Sequence, residues 1–372
     1  MRILELLSSP AWTGPAEPMA SVAPSLVARG HRVEVAVDTI RPGDLRSRLR
    51  GIGLAVRDDL ALSTKAGPLA YVGDIRRLRC LVRDVDVAHA HFSHDHGLAL
   101  LARRGRPDVR VVRTVHSSRS LARRLGQGLA HRRTDGLLAV CESHARLLSE
   151  RFGVPERRIG IARGAVDTAR FTPDGPDLRG ELGLAPGTPV AGIVSRVKPD
   201  RRHAELVDAF RRVADALPEA RLVVVGRGEG LDAVRAHVEA RGLADRVVFA
   251  GYRTGEALAA AYRTLDVKVL LAEGNDGTCR ALLEAMACGR PGVAYRFGAP
   301  AETIADGTTG LLVADGDVRA LAAALVELLS WPAHARAMGA AARGRVAALY
   351  TESARGEAVE RFLADIGRMP PA

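Results

Sequence analysis

Residues 1–37, MRILELLSSPAWTGPAEPMASVAPSLVARGHRVEVAV, decide the fold. An apolar run at 3–7 is followed by a loop rich in Ser, Pro and Gly at 8–18, a helical stretch to about Arg29, and a second strand-like run at 33–37. Gly30 stands where a left-handed residue closes a helix. The same strand and helix rhythm returns around 85–90, 109–115, 136–140 and 158–162. Strands alternating with helices of this length imply a parallel sheet covered on both faces. The first half is therefore expected to be a doubly wound α/β domain.

Turn formers at 171–177 interrupt the rhythm and place a junction near 165–188. A second series follows, with strands at 190–195, 221–225, 247–249, 267–271 and 292–295 and helices at 203–217, 231–241, 255–262 and 278–288. From Val318 onward the pattern is helical, broken at Pro332, and its last stretch runs from Thr351 to about Arg368. The second half is expected to be another sheet of the same class. Two open parallel sheets facing each other would leave a cleft lined by the carboxyl ends of their strands, which is where such sheets bind ligands.

Composition narrows the function classes. The chain has 372 residues, 47% hydrophobic and 26% charged, enough for two packed domains and too apolar for large-scale disorder. The longest apolar runs, 190–194 and 257–261, fall far short of the roughly 20 residues a spanning helix needs. Glu5 inside the first apolar run argues against a secretory leader, so a cytoplasmic location is expected. Cys80, Cys141, Cys279 and Cys288 show no paired spacing and read as packing residues of a reduced compartment. The net charge of +11 comes almost wholly from arginine, because Lys65, Lys198 and Lys268 are the only lysines. It favours an anionic partner, with nucleotides, nucleic acid and an acidic membrane face all open, while compositional bias alone explains it equally well.

Two stretches could carry chemistry. The first is 273–291, EGNDGTCRALLEAMACGRP, where a strand gives way to a Gly-rich loop and then to a helix expected to start near Thr278. Free amides at such a start form an anion site, here those of Gly277, Thr278, Cys279 and Arg280. Asp276 in the loop and Glu284 two turns into the helix can approach one ligand. The second is 194–203, VSRVKPDRRH, at the end of the second domain's first strand. Arg196 and Arg201 there could neutralise a departing diphosphate, and the arginine fork pairs two phosphate oxygens at once.

These stretches resemble family 4 glycosyltransferases, whose motifs are an Arg followed five positions on by a basic residue, and an acid followed eight positions on by Glu. Arg196 and Arg201 occupy the first pattern, Asp276 and Glu284 the second. The resemblance covers nearly the whole chain: Gly14 stands at the glycine of the first loop, 86–92 (DVAHAHF) and 112–116 (VRTVH) resemble acceptor-domain strands, and 223–230 and 247–252 resemble strands around the nucleotide base. The chain departs from the pattern with Asp276 in place of Glu, where Glu273 could compensate, and with Arg201 and Arg202 in place of Lys and Gly.

The resemblance implies the GT-B fold, with two Rossmann-like domains: an acceptor-binding one at 1–168, rejoined by a C-terminal helix at 351–372, and a nucleotide-sugar-binding one at 169–350. It implies a retaining, metal-independent transfer from a nucleotide-diphosphate sugar to a saccharide or lipid-linked acceptor, in envelope polysaccharide, lipopolysaccharide or glycolipid synthesis. The implied catalytic set is His116, Arg196, Arg201, Asp276 and Glu284. The implied donor-binding set is Gly14, Gly226, Tyr252, Glu273, Gly277, Thr278, Cys279 and Arg280. An arginine-rich first domain suits peripheral attachment to an anionic inner membrane face, with no specific nucleic-acid partner.

Rival readings remain. An epimerase or phosphorylase on the same scaffold would convert nucleotide sugar without an acceptor, and a basic binding protein with a dead site would release no nucleotide. Gly226-Arg227-Gly228-Glu229-Gly230 mimics a dinucleotide fingerprint, but no acid ends the next strand. His89, His91, His94 and His96 form a cluster in which His89 and His91 share a strand face; without nearby Cys they are expected to pack or line the site rather than hold a metal. Asp84-Val85-Asp86 and Asp315-Gly316-Asp317 match a metal-holding DxD pattern but sit at a strand entrance and a helix cap.

Overall fold

Seven short runs of mostly buried, largely β-branched or aliphatic residues form one parallel sheet among the described residues: β1 (Arg2–Leu7), β2 (Arg32–Val37), β3 (Ala55–Arg57), β4 (Val87–Ala90), β5 (Arg110–Val115), β6 (Gly136–Ala139) and β7 (Ile159–Ile161), in the order β3-β2-β1-β4-β5-β6-β7. The computed structural model describes residues 1–12, 14–122, 126–272 and 279–372, with the backbone alone at 118 and 119. Six more strands form a second parallel sheet: β8 (Val190–Val194), β9 (Arg221–Val225), β10 (Val247–Gly251), β11 (Val267–Leu270), β12 (Gly292–Tyr295) and β13 (Gly310–Val313), ordered β10-β9-β8-β11-β12-β13. The strand order reverses between β1 and β4 in one sheet and between β8 and β11 in the other, the two positions where doubly wound sheets open for ligands. By contact, among the described residues, Met1–Gly164 with Glu352–Ala372 forms one unit, and 165–272 with Cys279–Thr351 forms the second.

In the first unit, Ile3 and Leu7 face the helix Ala16–Ala28 in one core, whereas Leu4 and Leu6 face Leu78, Leu98 and Val109 in another. This is the period-two alternation of a strand buried on both sides. Glu5 falls on the Ile3 face and is 1% exposed.

The C-terminal helix Glu352–Arg368 belongs to the first unit, as expected. Glycines make room for it: a Cβ on Gly160 would lie 2.4 Å from the Phe362 ring, and one on Gly136 2.8 Å from both Phe362 and Ile366. Arg29 pairs with Glu357 and Glu360, and Arg355 donates to the Arg163 carbonyl.

Two edge strands, β3 and β13, were not expected from the sequence. The helix of the acidic motif also begins later than expected, at Arg280 rather than near Thr278, because Cys279 takes a left-handed backbone (φ 49°) and serves as its N-cap.

Candidate active site

In the second unit the switch point is framed by the segments that leave β8 and β11. After β8 the chain stays in register with the loop after β9: Ser195 N–H donates to the Val225 carbonyl and Val197 N–H to that of Arg227. The approach is so close that a Cβ on Gly226 (φ 146°) would lie 1.9 Å from the Ser195 carbonyl oxygen, and one on Gly228 2.2 Å from that of Val197. Those glycines, read in the sequence as a mimic of a dinucleotide fingerprint, are required by loop packing.

Arg196 is exposed beyond β8. Arg201 ends a short 3-10 turn, Pro199–Arg201, with its side chain 15% exposed and its Nε buried with no hydrogen-bond partner. The same Nε lies 3.7 Å from the Asp200 carboxylate, an ion pair beyond hydrogen-bond distance. Arg202 then adopts φ 57°, the conformation for which Gly is the usual choice, and its guanidinium lies 5.2 Å from the Tyr295 ring centre and pairs with Asp315. His203 opens the helix His203–Ala216 and meets the Ser195 hydroxyl at 3.2 Å. Burial, then the charges of Lys268 and Arg201, pull His203 down to about 4, so it is neutral near pH 7.

Glu284 lies on the helix Arg280–Ala287 and is 6% exposed. Tyr262, from the helix Gly255–Thr264, donates its hydroxyl to Glu284 Oε2 at 2.7 Å, and Arg280 Nε donates to Oε1 at 3.1 Å. Beneath them, fully buried Lys268 on β11 donates to the Val269 carbonyl at 2.6 Å; burial lowers its ammonium to about 7 against the pull of Glu284 and Cys279. At the edge of the sheet, Tyr252 follows β10, 56% exposed, with the Arg227 guanidinium 4.2 Å from its ring centre. Glu273, Asp276, Gly277 and Thr278 lie outside the described residues.

In the first unit, parallel register places Glu5 of β1 directly beside His89 of β4. Five side chains on adjacent strands then form one chain of contacts. Thr114 Oγ1 meets His89 Nε2 at 2.7 Å, His89 Nδ1 meets Glu5 Oε1 at 3.1 Å, Glu5 Oε2 meets His91 Nε2 at 2.8 Å, and His91 Nδ1 meets His116 Nε2 at 2.9 Å. All five are at most 5% exposed. Burial alone would raise the Glu5 carboxyl, but its bonds and attraction to His89 and His91 outweigh it and hold the group near 2. Glu5, His89 and His91 bring three ligand-type atoms within 4.8 Å of one another, although each contact is already a hydrogen bond. His96 instead pairs with Thr134, and His94 packs on Tyr71. Gly14 has nothing within 4 Å of a built Cβ, so packing does not dictate its glycine. Asp86 is occupied by Arg2, and Asp317 caps the helix Val318–Ser330 by accepting from Ala320 N–H.

The model of glycosyl transferases group 1 matches residues 174–345, and that of glycosyltransferase family 4 matches residues 17–170. A GDP-mannose-dependent alpha-(1-6)-phosphatidylinositol monomannoside mannosyltransferase of Mycolicibacterium smegmatis is 31% identical over 287 residues, 75% of this chain and 69% of that protein. The chain belongs to the family 4 glycosyltransferases. This glycosyltransferase is also 30% identical over 273 residues to a D-inositol 3-phosphate glycosyltransferase of Segniliparus rotundus, a match spanning 68% of the chain and 61% of that relative. Its fold matches that of Anabaena HepE in complex with UDP, at a TM-score of 0.81 and 19% identity over 98% of this chain and all of that one. The two Rossmann-like sheets are thus those of a GT-B glycosyltransferase. No described helix of the transferase is long and apolar enough to cross a membrane.

Sequence reasoning singled out Glu284 and His116 but missed the groups that hold them. Tyr262 carried no motif, and Glu5 entered only as an argument against a leader. The available signal was a lone acid at the centre of an otherwise apolar strand, on the same face as Ile3 and Leu7.

Proposed function

We propose that this glycosyltransferase moves a sugar, with retention at the anomeric carbon, from a nucleoside-diphosphate sugar to an acceptor hydroxyl in the assembly of an envelope polysaccharide, lipopolysaccharide or glycolipid. The observation that carries this reading is the Glu284 carboxylate: nearly buried, gripped by Tyr262, and placed on the helix that follows β11 at the switch point. A carboxylate so held is ready to accept from the two hydroxyls of a ribose. Arg196 and Arg201, following β8, take the diphosphate; Arg196 is exposed there and Arg201 Nε makes no hydrogen bond.

The Tyr252 ring and the Gly226 turn frame the base, while Glu273, Asp276 and the amides from Gly277 to Arg280 orient the donor sugar. His116 and Gly14 of the first unit are assigned to the sugar end of the donor. The bond between the anomeric carbon and the diphosphate oxygen breaks, the acceptor oxygen bonds on the same face, and its proton passes to a donor phosphate oxygen. Two arginines offset the charge developing on the leaving group, so the reaction in this reading proceeds without a metal. The name of the mannosyltransferase relative supports a lipid-linked acceptor. Arg76, Arg77 and Arg104 of the first unit would then favour an anionic membrane face, whereas Arg103 is taken up by the nearly buried Asp135.

A thermal-shift screen of nucleoside diphosphates and their sugars, followed by product analysis with and without EDTA, tests this. One nucleotide should raise the melting temperature, since a ligand of the folded state stabilises it, and its sugar should be transferred equally well in EDTA. A panel giving neither shift nor acceptor-dependent nucleotide release overturns the reading.

A further inference from the structure

The polar chain under the first sheet has a direction. An ionised carboxylate only accepts hydrogen bonds, so Glu5 takes one from His89 Nδ1 and one from His91 Nε2. Burial and the neighbouring His89 hold His91 below its ordinary range, so near neutral pH it carries one proton, the one given to Glu5. Its Nδ1 is then a lone pair, and the 2.9 Å contact to His116 can only be a bond donated by His116 Nε2. Burial first, with the Arg113 and Arg355 cations adding to it, holds His116 well below its ordinary range as well. His116 is therefore neutral, with its single proton facing inward.

We propose that Glu5 and His91 are positioning residues that lock His116 in the Nε2–H tautomer, leaving Nδ1 as a hydrogen-bond acceptor for a substrate hydroxyl. This rests on the assignment of His116 to the sugar end of the donor. Every group facing the relay fits that polarity. From β1 comes Glu5, from β4 and the residue after it His89 and His91, from β5 Thr114, from the loop after β7 Arg163, and from the C-terminal helix Arg355. The cavity among them holds about 20 Å³, room for at most one water, so no solvent network competes to reset the tautomer. The arrangement follows the logic by which a buried carboxylate orients a catalytic imidazole, with a second imidazole inserted between them.

The test is nitrogen NMR of the full chain labelled at histidine, with His116→Gln assigning the resonances. At pH 7 His116 should show a protonated Nε2 and an unprotonated Nδ1, and His91→Phe should abolish that single tautomer. A protonated Nδ1 in the wild type, or an unchanged tautomer in His91→Phe, overturns the proposal. One equivalent of Zn²⁺ should leave the His89 and His91 signals in place; a stoichiometric shift of both makes the cluster a metal site and overturns it too. In turnover, His91→Phe should lower kcat by about tenfold or more with the KM for donor little changed. Tautomer loss without loss of kcat defeats the relay, whereas full activity in His116→Gln defeats the placement of His116 itself.

Discussion

Tyr262 donates its hydroxyl to the Glu284 carboxylate at 2.7 Å, and both side chains are buried. The contact joins two helices of the second unit and fixes the carboxylate before any ligand arrives. Removing the donor leaves a buried charge short of one partner, which costs about 1–3 kcal/mol. Tyr262→Phe, which keeps the ring volume, should lower urea-measured stability by that order and raise the KM for donor. Unchanged stability and KM would mean that the bond does not hold Glu284.

Arg202 occupies a left-handed backbone site that glycine fills without strain, and offsets this with its contacts to Tyr295, Phe297 and Asp315. The left-handed conformation costs a non-glycine residue about 1–2 kcal/mol, and a partly exposed cation–π contact with an ion pair returns a similar amount. Arg202→Gly should therefore leave stability within about 1 kcal/mol of wild type, while Arg202→Ala, which keeps the strain and loses the contacts, should lose about 1–2 kcal/mol. Equal effects of the two changes in urea unfolding would contradict the strain argument.

Gly160 lies under Phe362 with no room for a methyl group. Gly160→Ala should destabilise the first unit by about 1–3 kcal/mol through overpacking. Phe362→Leu in the same chain should recover part of the loss, a coupling that a double-mutant cycle measures. Additive effects would place the C-terminal helix elsewhere.

Burial holds His131 and His203 near 4, and His96 and His116 well below their ordinary range. As pH falls from about 6.5 the unfolded chain takes up these protons and the folded one does not, so stability should decline from there to about pH 4. Urea titrations across that window should show more than one proton of linkage, and His131→Phe should reduce it by about one. Flat stability between pH 6.5 and 4.5 would contradict neutral burial.

The alternation of apolar strands and helices was legible because both faces of each sheet are covered, so β1, β4, β8 and β11 read as apolar runs. The edge strands were not: Ala55–Arg57 is three residues long and half exposed, and Gly310–Val313 begins on a glycine. Arg196 and Arg201 stood out as candidates by a spacing local to the segment after β8, and Glu284 by one local to the segment after β11. Glu5 and His89 are 84 residues apart and Tyr262 and Glu284 are 22 apart, so only sheet register and helix packing bring them together. The later helix start at Arg280 depends on the backbone angle of Cys279, which residue type does not announce.

The most direct test of the account is donor turnover by Glu284→Ala, measured as acceptor-dependent nucleotide release beside a circular-dichroism check of the fold. With the ribose deprived of charge-assisted hydrogen bonds, turnover should fall by about a hundredfold or more while the spectrum is retained. Full turnover in a folded Glu284→Ala protein would contradict the assignment of this carboxylate to the donor.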